Sequence, residues 1–165
     1  FGVKYVIVGH SERRRWLGET DAMINKKIQA ALKEKLKVIL CVGEPAAVRK
    51  KGLGAAKKFV KTQLQKDLRG IRGAQCIVAY EPIWAIGTGF ADRPEDTLVM
   101  AEFIKRTLSA HHGIRKAPVL YGGSVNSKNV KNFLQYKDIN GALIGGASLD
   151  VKEFQNVVTI VEKIT

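Results

Sequence analysis

Apolar residues gather into five short runs, separated by longer stretches in which apolar positions recur every three or four residues. Near-continuous apolar runs of this length, bounded by glycine, are typical of strands that are buried on both faces. They predict strands at residues 4–8, 37–42, 75–80, 118–121 and 141–144. The longer stretches predict amphipathic helices. The chain therefore repeats one unit, a strand followed by a helix.

Three of the predicted helices have the clearest signals. One follows Asp21, and a second begins at Pro94, which suits the first helical position and is followed by acidic residues in the first turn. The third follows Asp150, which with Glu153 three residues later resembles a capping box. The apolar positions predicted to point inward in these helices are Ile24, Ile28 and Ala31; Leu98, Ala101, Ile104 and Leu108; and Phe154, Val157, Val158 and Val161.

Strand-helix alternation predicts an α/β fold with a parallel sheet. The periodicity leaves open whether the sheet is doubly wound or closed into an eight-stranded barrel. A closed barrel needs roughly 250 residues. Five units in 165 residues would therefore form an incomplete barrel. Because no linker or change of composition interrupts the chain, we expect a single domain over residues 1–165.

Composition narrows the class of protein. A chain with 45% hydrophobic and 26% charged residues can bury a core, so disorder is not expected. The chain starts at Phe1 without an initiator Met or a signal core, and no run of 18 apolar residues occurs. We therefore expect a cytoplasmic protein with no membrane partner, whose native start lies upstream. Cys41 and Cys76 are expected to be buried thiols rather than a disulfide or metal ligands.

The formal net charge of +13 raises the question of a nucleic-acid partner. Basic residues concentrate in one region, which has a single acid, Asp67; they are Arg49, Lys50, Lys51, Lys57, Lys58, Lys61, Lys66, Arg69 and Arg72. They alternate with apolar residues at helical spacing, which favours the solvated face of an outer helix. A surface for nucleic-acid phosphates stays open as an alternative, although base-reading groups are not interleaved.

The stretches with unusual chemistry all come directly after predicted strands. They lie at residues 9–12, 43–44, 81–84, 122–124 and 145–146. Because the carboxyl ends of parallel strands meet at one edge of a sheet, these stretches should form one site there.

Glu81 is the strongest candidate for a catalytic group. It ends an apolar run, and low-dielectric surroundings favour the protonated form of a carboxyl group, which suits a general base. A carboxylate in a structural ion pair is an equally good interpretation of this residue alone. The next segment places Trp84 near Gly87 and Gly89, which predicts a hinged lid over residues 82–89.

His10 is less informative on its own, because a single histidine at a strand end is more often structural. Ser11 and Glu12 begin a possible helical turn, whose amides would keep the imidazole neutral and able to donate a hydrogen bond. His111 and His112 receive no functional assignment. Two glycine clusters, at residues 122–124 and 145–148, follow strands and precede helices, which predicts backbone amides that bind an anion.

Five segments together are similar in order and spacing to those of the triosephosphate isomerase family. They are residues 8–14 (VGHSERR), 41–44 (CVGE), 79–89 (AYEPIWAIGTG), 120–125 (LYGGSV) and 142–149 (ALIGGASL). The third segment, with its glutamate and lid, is the most specific. The resemblance covers the whole chain and implies strands 4 to 8, with their helices, of a partial (β/α)8 TIM barrel.

The resemblance also implies a function and a set of site residues. Triosephosphate isomerases interconvert dihydroxyacetone phosphate and glyceraldehyde 3-phosphate in glycolysis and gluconeogenesis, and need neither cofactor nor metal. It makes Glu81 the base and His10 the neutral electrophile, a pairing already known for this enzyme. The residues it implies for phosphate binding are Gly87, Ser124, Gly145 and Gly146, with Glu12 in a supporting role.

The chain departs from the family in two ways. It lacks the first three strand-helix units, which in the family supply a lysine and an asparagine to the substrate and a loop to the partner subunit. We therefore expect the complete enzyme to be a homodimer and this chain alone to be inactive. Phe90 also stands where the family commonly has a lysine. A non-catalytic barrel fragment and a basic nucleic-acid-binding module remain as alternatives.

Overall fold

The strands of the chain form one parallel sheet in a computed structural model, which describes residues 1–74, 76–87, 89 and 91–164. They are Tyr5–Val8 (β1), Lys37–Val42 (β2), Cys76–Tyr80 (β3), Val119–Tyr121 (β4) and Gly141–Ala142 (β5). The order is β1-β2-β3-β4-β5, so each strand pairs with the next along the chain. A doubly wound sheet reverses its strand order, whereas a barrel does not. The sheet therefore has the order of a barrel, as the resemblance implied.

Seven α-helices and two short 3₁₀ turns follow the described strands. The helices are Ser11–Trp16 (α1), Asp21–Lys33 (α2), Ala46–Arg49 (α3), Leu53–Asp67 (α4), Pro94–His112 (α5), Val130–Leu134 (α6) and Val151–Glu162 (α7). The 3₁₀ turns are Ile83–Ala85 and Gly146–Leu149. Right-handed crossovers between sequential parallel strands place the helices on one face of the sheet.

The core lies between that face and the helices. The predicted inward positions of α2 and α5 are confirmed: Ile24, Ile28, Ala31, Ala101, Ile104 and Leu108 are buried, and Leu98 packs against the core while partly exposed. Proline stands at the start of α5, and Gly113 ends that helix with a φ of 62°, a left-handed conformation that glycine adopts without strain.

The opposite face of the sheet is open, so the expectation of strands buried on both faces was wrong. On β1, Tyr5 is 44% exposed and Ile7 is 49% exposed. Ile39 and Ile77, which lie beside Ile7 along the register of β2 and β3, are only partly buried. A closed barrel covers this face with side chains from all of its strands. The five strands described here provide only part of that cover.

The helix α7 also differs from its prediction. Val157 is buried, but Phe154 and Val158 are each 41% exposed and Val161 is partly buried. Within the described chain, α7 packs mainly against α6 and the turn Gly146–Leu149, because β5 is an edge strand. Its apolar stripe therefore lacks part of the surface against which it would pack.

Local details of some predictions also change. Asp150 caps α7 by accepting from the Glu153 amide at 2.8 Å, but the Glu153 side chain accepts from the Ser127 amide at 2.6 Å instead of completing a capping box. The strand β5 ends at Ala142 rather than at residue 144, because its partner β4 ends at Tyr121, the residue that pairs with Ala142. Gln75, predicted to begin the third strand, lies outside the described residues.

The structure places both cysteines in the interior and the basic region on the outer face of a helix. Cys41 and Cys76 are buried and free, as expected, and burial raises the pKa of Cys76 to about 12. On α4, Val60 and Leu64 are buried beneath the basic outer face, which confirms an amphipathic helix. Among the described residues, no helix is both long enough and apolar enough to cross a membrane.

Candidate active site

A cavity of about 410 Å³ lies at the carboxyl ends of the strands. Its lining contains every site residue predicted from the sequence: His10, Glu12, Glu81, Gly87, Ser124, Gly145 and Gly146. These residues follow four different strands, and the parallel sheet places those strand ends side by side. The structure therefore brings the predicted residues together around one space.

Glu81 follows β3 directly and is only 1% exposed. Its Oε2 atom accepts a hydrogen bond from the Ser11 amide at 3.1 Å, and its Oε1 atom lies 3.3 Å from Nε2 of His10. The geometry of the second contact is not that of a hydrogen bond, so Oε1 has no donor among the described residues. Burial raises the pKa of the Glu81 carboxyl, and the hydrogen bond from the Ser11 amide opposes that shift. A buried carboxyl with one unpartnered oxygen takes up a proton more readily than an exposed carboxyl does.

His10 is the N-cap residue of α1. Its Nδ1 atom accepts a hydrogen bond from the Glu12 amide at 3.4 Å. In a neutral imidazole with an accepting Nδ1, the proton is on Nε2. The Nε2 atom borders the cavity beside Glu81. His10 can therefore donate a hydrogen bond into the cavity without carrying charge, and Glu12 contributes through its backbone amide.

Two glycines allow Glu81 to fit where it does. A Cβ on Gly43 would lie 1.6 Å from the backbone oxygen of Glu81, and a Cβ on Gly122 would lie 2.9 Å from its Cγ atom. The Glu81 backbone cannot move away from a Cβ on Gly43 as a flexible side chain could. Both glycines belong to stretches noted after strands, but sequence reasoning assigned them no role in positioning Glu81.

We expect Gly43→Ala to destabilise the protein by about 3 kcal/mol or more, because the new methyl group must displace the Glu81 backbone. Gly54→Ala is the matched control, since a Cβ there meets no atom within 4 Å and alanine favours the helix α4. Urea-induced unfolding of the protein and both variants checks this expectation. Equal midpoints for the two variants would show that the close approach does not constrain the fold.

The predicted anion-binding glycines also line the cavity. The amides of Gly123 and Gly145 donate to no acceptor within the described part of the chain. Gly146 begins a 3₁₀ turn, whose first amides have no partner within the turn. Gly87 has a φ of 67°, which glycine adopts without strain. Free backbone amides that converge on a cavity suit a phosphate group.

Ser124 is hydrogen-bonded to the predicted lid in this structure. Its Oγ donates to the Ala85 carbonyl oxygen at 2.6 Å, and its amide donates to the same oxygen at 3.1 Å. Ala85 ends the 3₁₀ turn inside the predicted lid. Ser124 therefore becomes available to an anion only when Ala85 moves. Thr88 of the lid, and Phe90 beyond it, lie outside the described residues.

Glu44 anchors the start of the lid, a role that the sequence did not reveal. It is fully buried and accepts hydrogen bonds from the Tyr80 hydroxyl at 3.1 Å and from Nε1 of Trp84 at 3.2 Å. Its backbone oxygen accepts from the Ile83 amide at 3.1 Å. Burial raises the pKa of Glu44. The signals in the sequence were its position after a strand and its place in the family-like segment 41–44, and neither indicated a role in the lid.

Arg14 supports the loop that carries His10. Its guanidinium donates to the Gly9 carbonyl at 2.7 Å and forms ion pairs with Asp21 at 2.7 Å and Asp67 at 2.6 Å. These contacts join the end of β1 to α2 and α4. In the sequence, Arg14 was noted only as part of the family-like segment 8–14, because a contact with Asp67 cannot be predicted from local spacing.

Among the described residues, no group of three or more histidine, cysteine, aspartate or glutamate side chains could hold a metal ion. The described cavity is lined by a buried carboxyl, an imidazole and glycine backbone amides.

Comparison of the sequence with known proteins identifies a family. The sequence model of triosephosphate isomerase matches residues 1–161. A triosephosphate isomerase of Thermus thermophilus is 45% identical in an alignment that covers 96% of this chain and 65% of the relative. Those of Carboxydothermus hydrogenoformans and Mycoplasmoides gallisepticum are 45% and 43% identical, and each aligns over 95% of this chain and 64% of the relative.

The chain thus spans just under two thirds of the length of the curated relatives it matches. The match nevertheless extends over nearly the whole of this chain, and the cavity contains every residue that the resemblance implied. The chain belongs to the triosephosphate isomerase family.

Proposed function

We propose that this chain is the carboxy-terminal part of a triose-phosphate isomerase, which interconverts dihydroxyacetone phosphate and D-glyceraldehyde 3-phosphate through an enediolate in glycolysis and gluconeogenesis. The observation that carries the proposal is the pair of Glu81 and His10. The buried Glu81 carboxyl lies 3.3 Å from His10 Nε2 at the edge of a cavity that also contains free glycine amides. Membership of the family supports the same reaction.

Glu81 is the base in this proposal. It removes a proton from one carbon of the triose phosphate and returns it to the neighbouring carbon. Its buried position raises its pKa, so its affinity for the proton is closer to what transfer at neutral pH requires. The Ser11 amide on Oε2 holds the carboxyl in place and leaves Oε1 free to accept the proton.

His10 is the electrophile. Its Nε2–H donates to the substrate oxygen on which negative charge develops in the enediolate. A neutral imidazole suits this task, and the Glu12 amide on Nδ1 holds the proton on Nε2. Proton transfer between adjacent carbons by these two side chains needs neither a metal nor a cofactor.

The phosphate binds to the amides of Gly87, Gly145 and Gly146 and to Ser124. Because Ser124 is bonded to Ala85, phosphate binding requires movement of the lid. Closure of residues 82–89 over the site would exclude water, which limits loss of phosphate from the enediolate. Substrate-binding side chains from the amino-terminal part complete the site. We further propose a cytoplasmic homodimer for the complete enzyme, without a nucleic-acid partner.

The proposal predicts that purified chain 1–165 has negligible activity, whereas a chimera regains it. The chimera joins this chain to the amino-terminal part of the Thermus thermophilus relative that the chain does not match. A coupled assay with dihydroxyacetone phosphate measures turnover, and circular dichroism checks folding. Robust turnover by the chain alone would contradict the need for the missing part. A folded but inactive chimera would contradict the function, and salt-sensitive binding to DNA or RNA would then favour the basic module.

A further inference from the structure

One arginine outside the cavity contacts both ends of the connection between β3 and α5, residues 81–93, which includes the lid. Arg49 is the last residue of α3, and its side chain is 17% exposed. It does not line the active-site cavity. The proposed reaction does not involve Arg49.

The carboxyl-terminal end of the connection is fixed through Asp92. The Asp92 side chain is 1% exposed, and its Oδ1 lies 3.2 Å from Nη2 of Arg49. Its Oδ1 also accepts from the Arg93 amide at 2.8 Å, and its Oδ2 accepts from Thr97 at 3.3 Å. The Asp92 amide donates to the Tyr121 hydroxyl at 2.8 Å. These contacts fix the position where the connection enters α5.

The amino-terminal end is fixed through Trp84. The Arg49 guanidinium carbon lies 5.5 Å from the centre of the Trp84 ring, within the range of a cation-π contact. The indole Nε1 also donates a hydrogen bond to the Glu44 carboxylate. The same guanidinium thus touches the indole at one end of the connection and the Asp92 carboxylate at the other.

We propose that Arg49 is a positioning residue that couples the two ends of the connection, so that loosening one end loosens the other. This inference rests on the proposed function for the importance of the lid, but the coupling itself is a property of the fold. Nη1 of Arg49 is buried without a hydrogen-bond partner among the described residues. An unpartnered buried donor is unfavourable, so the position of Arg49 is held by its other contacts.

The coupling has an expected pH dependence. Burial raises the pKa of Asp92 to about 6, although Arg49 and the Arg93 amide oppose the shift. The charged and titratable groups that face Asp92 include Arg49, Asp96, Glu44, Tyr80 and Tyr121. Above about pH 6 Asp92 is ionised and attracts Arg49, whereas below it Asp92 is neutral and the attraction is lost. Coupling should therefore be strong above that pH and weak below it.

Hydrogen exchange in the chimera tests the coupling without relying on turnover. Asp92→Asn removes the charge at one end only. We expect it to lower protection of the amides of residues 83–85, at the other end, by about fivefold or more at pH 7.5. Arg49→Met should do the same, and Arg106→Met, which alters an exposed arginine 3.9 Å from Glu102, is the matched control. At pH 5 wild type and Asp92→Asn should show similar protection.

Loss of protection confined to residues near position 92 would overturn the coupling. Kinetics give an independent readout: Arg49→Met should raise KM and lower kcat, whereas Arg106→Met should change neither. An inactive wild-type chimera would contradict the proposed function but leave the exchange result interpretable. An active chimera in which Arg49→Met exchanges like the control would instead contradict only this inference.

Discussion

Shortening Glu81 to aspartate in the chimera is expected to lower kcat about 100-fold or more. The substitution keeps the charge but withdraws the carboxylate by about one ångström, and misplacement on that scale spoils the geometry of proton transfer. KM should change much less, since Glu81 acts on the proton rather than on the phosphate. Steady-state kinetics in both directions measure the effect.

Glu162→Asp is the control for this variant, because Glu162 ends α7 and is exposed. It should leave kcat unchanged. A kcat for Glu81→Asp equal to that of the control would remove Glu81 from its role as the base. Circular dichroism separates loss of chemistry from loss of structure.

Replacing His10 by glutamine is expected to lower kcat about 100-fold to 1,000-fold, which is typical of removing one donor that stabilises a developing oxyanion. Glutamine keeps a donor but lacks the ring that places Nε2 beside Glu81 and Nδ1 against the Glu12 amide. The loss should therefore fall on kcat more than on KM. Single-turnover measurements would assign it to the chemical step.

His111→Gln is the control for the histidine, since His111 lies exposed near the end of α5. It should retain full activity. A His10 variant with the turnover of this control would mean that another group polarises the substrate. The enediolate would then need a donor from the part of the enzyme that this chain lacks.

The fold was largely predictable because local patterns and core packing agree. Ile24 and Ile28 recur at helical spacing and are buried where α2 meets the sheet. The sequential strand order could not be read from periodicity and came from the resemblance. The face of α7 with Phe154 was wrongly predicted as buried. Hydrophobic spacing shows which side of a helix is apolar, but it does not show whether another element packs against that side.

The site was predictable where position along the chain carried the information. Glu81 and His10 each follow a strand, and strand ends in a parallel sheet converge. The roles of Gly43, Arg14 and Glu44 were missed, because they depend on contacts with residues distant in the sequence. Close approach and ion pairing across elements are properties of packing, which no local pattern encodes.

Solvent deuterium exchange tests most directly whether Glu81 carries the proton. The wild-type chimera and Glu81→Gln are incubated with dihydroxyacetone phosphate in heavy water, and NMR follows carbon-bound deuterium in the triose phosphates. We predict steady incorporation with the wild type, because the proton held by Glu81 exchanges with solvent, and almost none with the variant. Equal incorporation by the two proteins would contradict the assignment of Glu81 as the base.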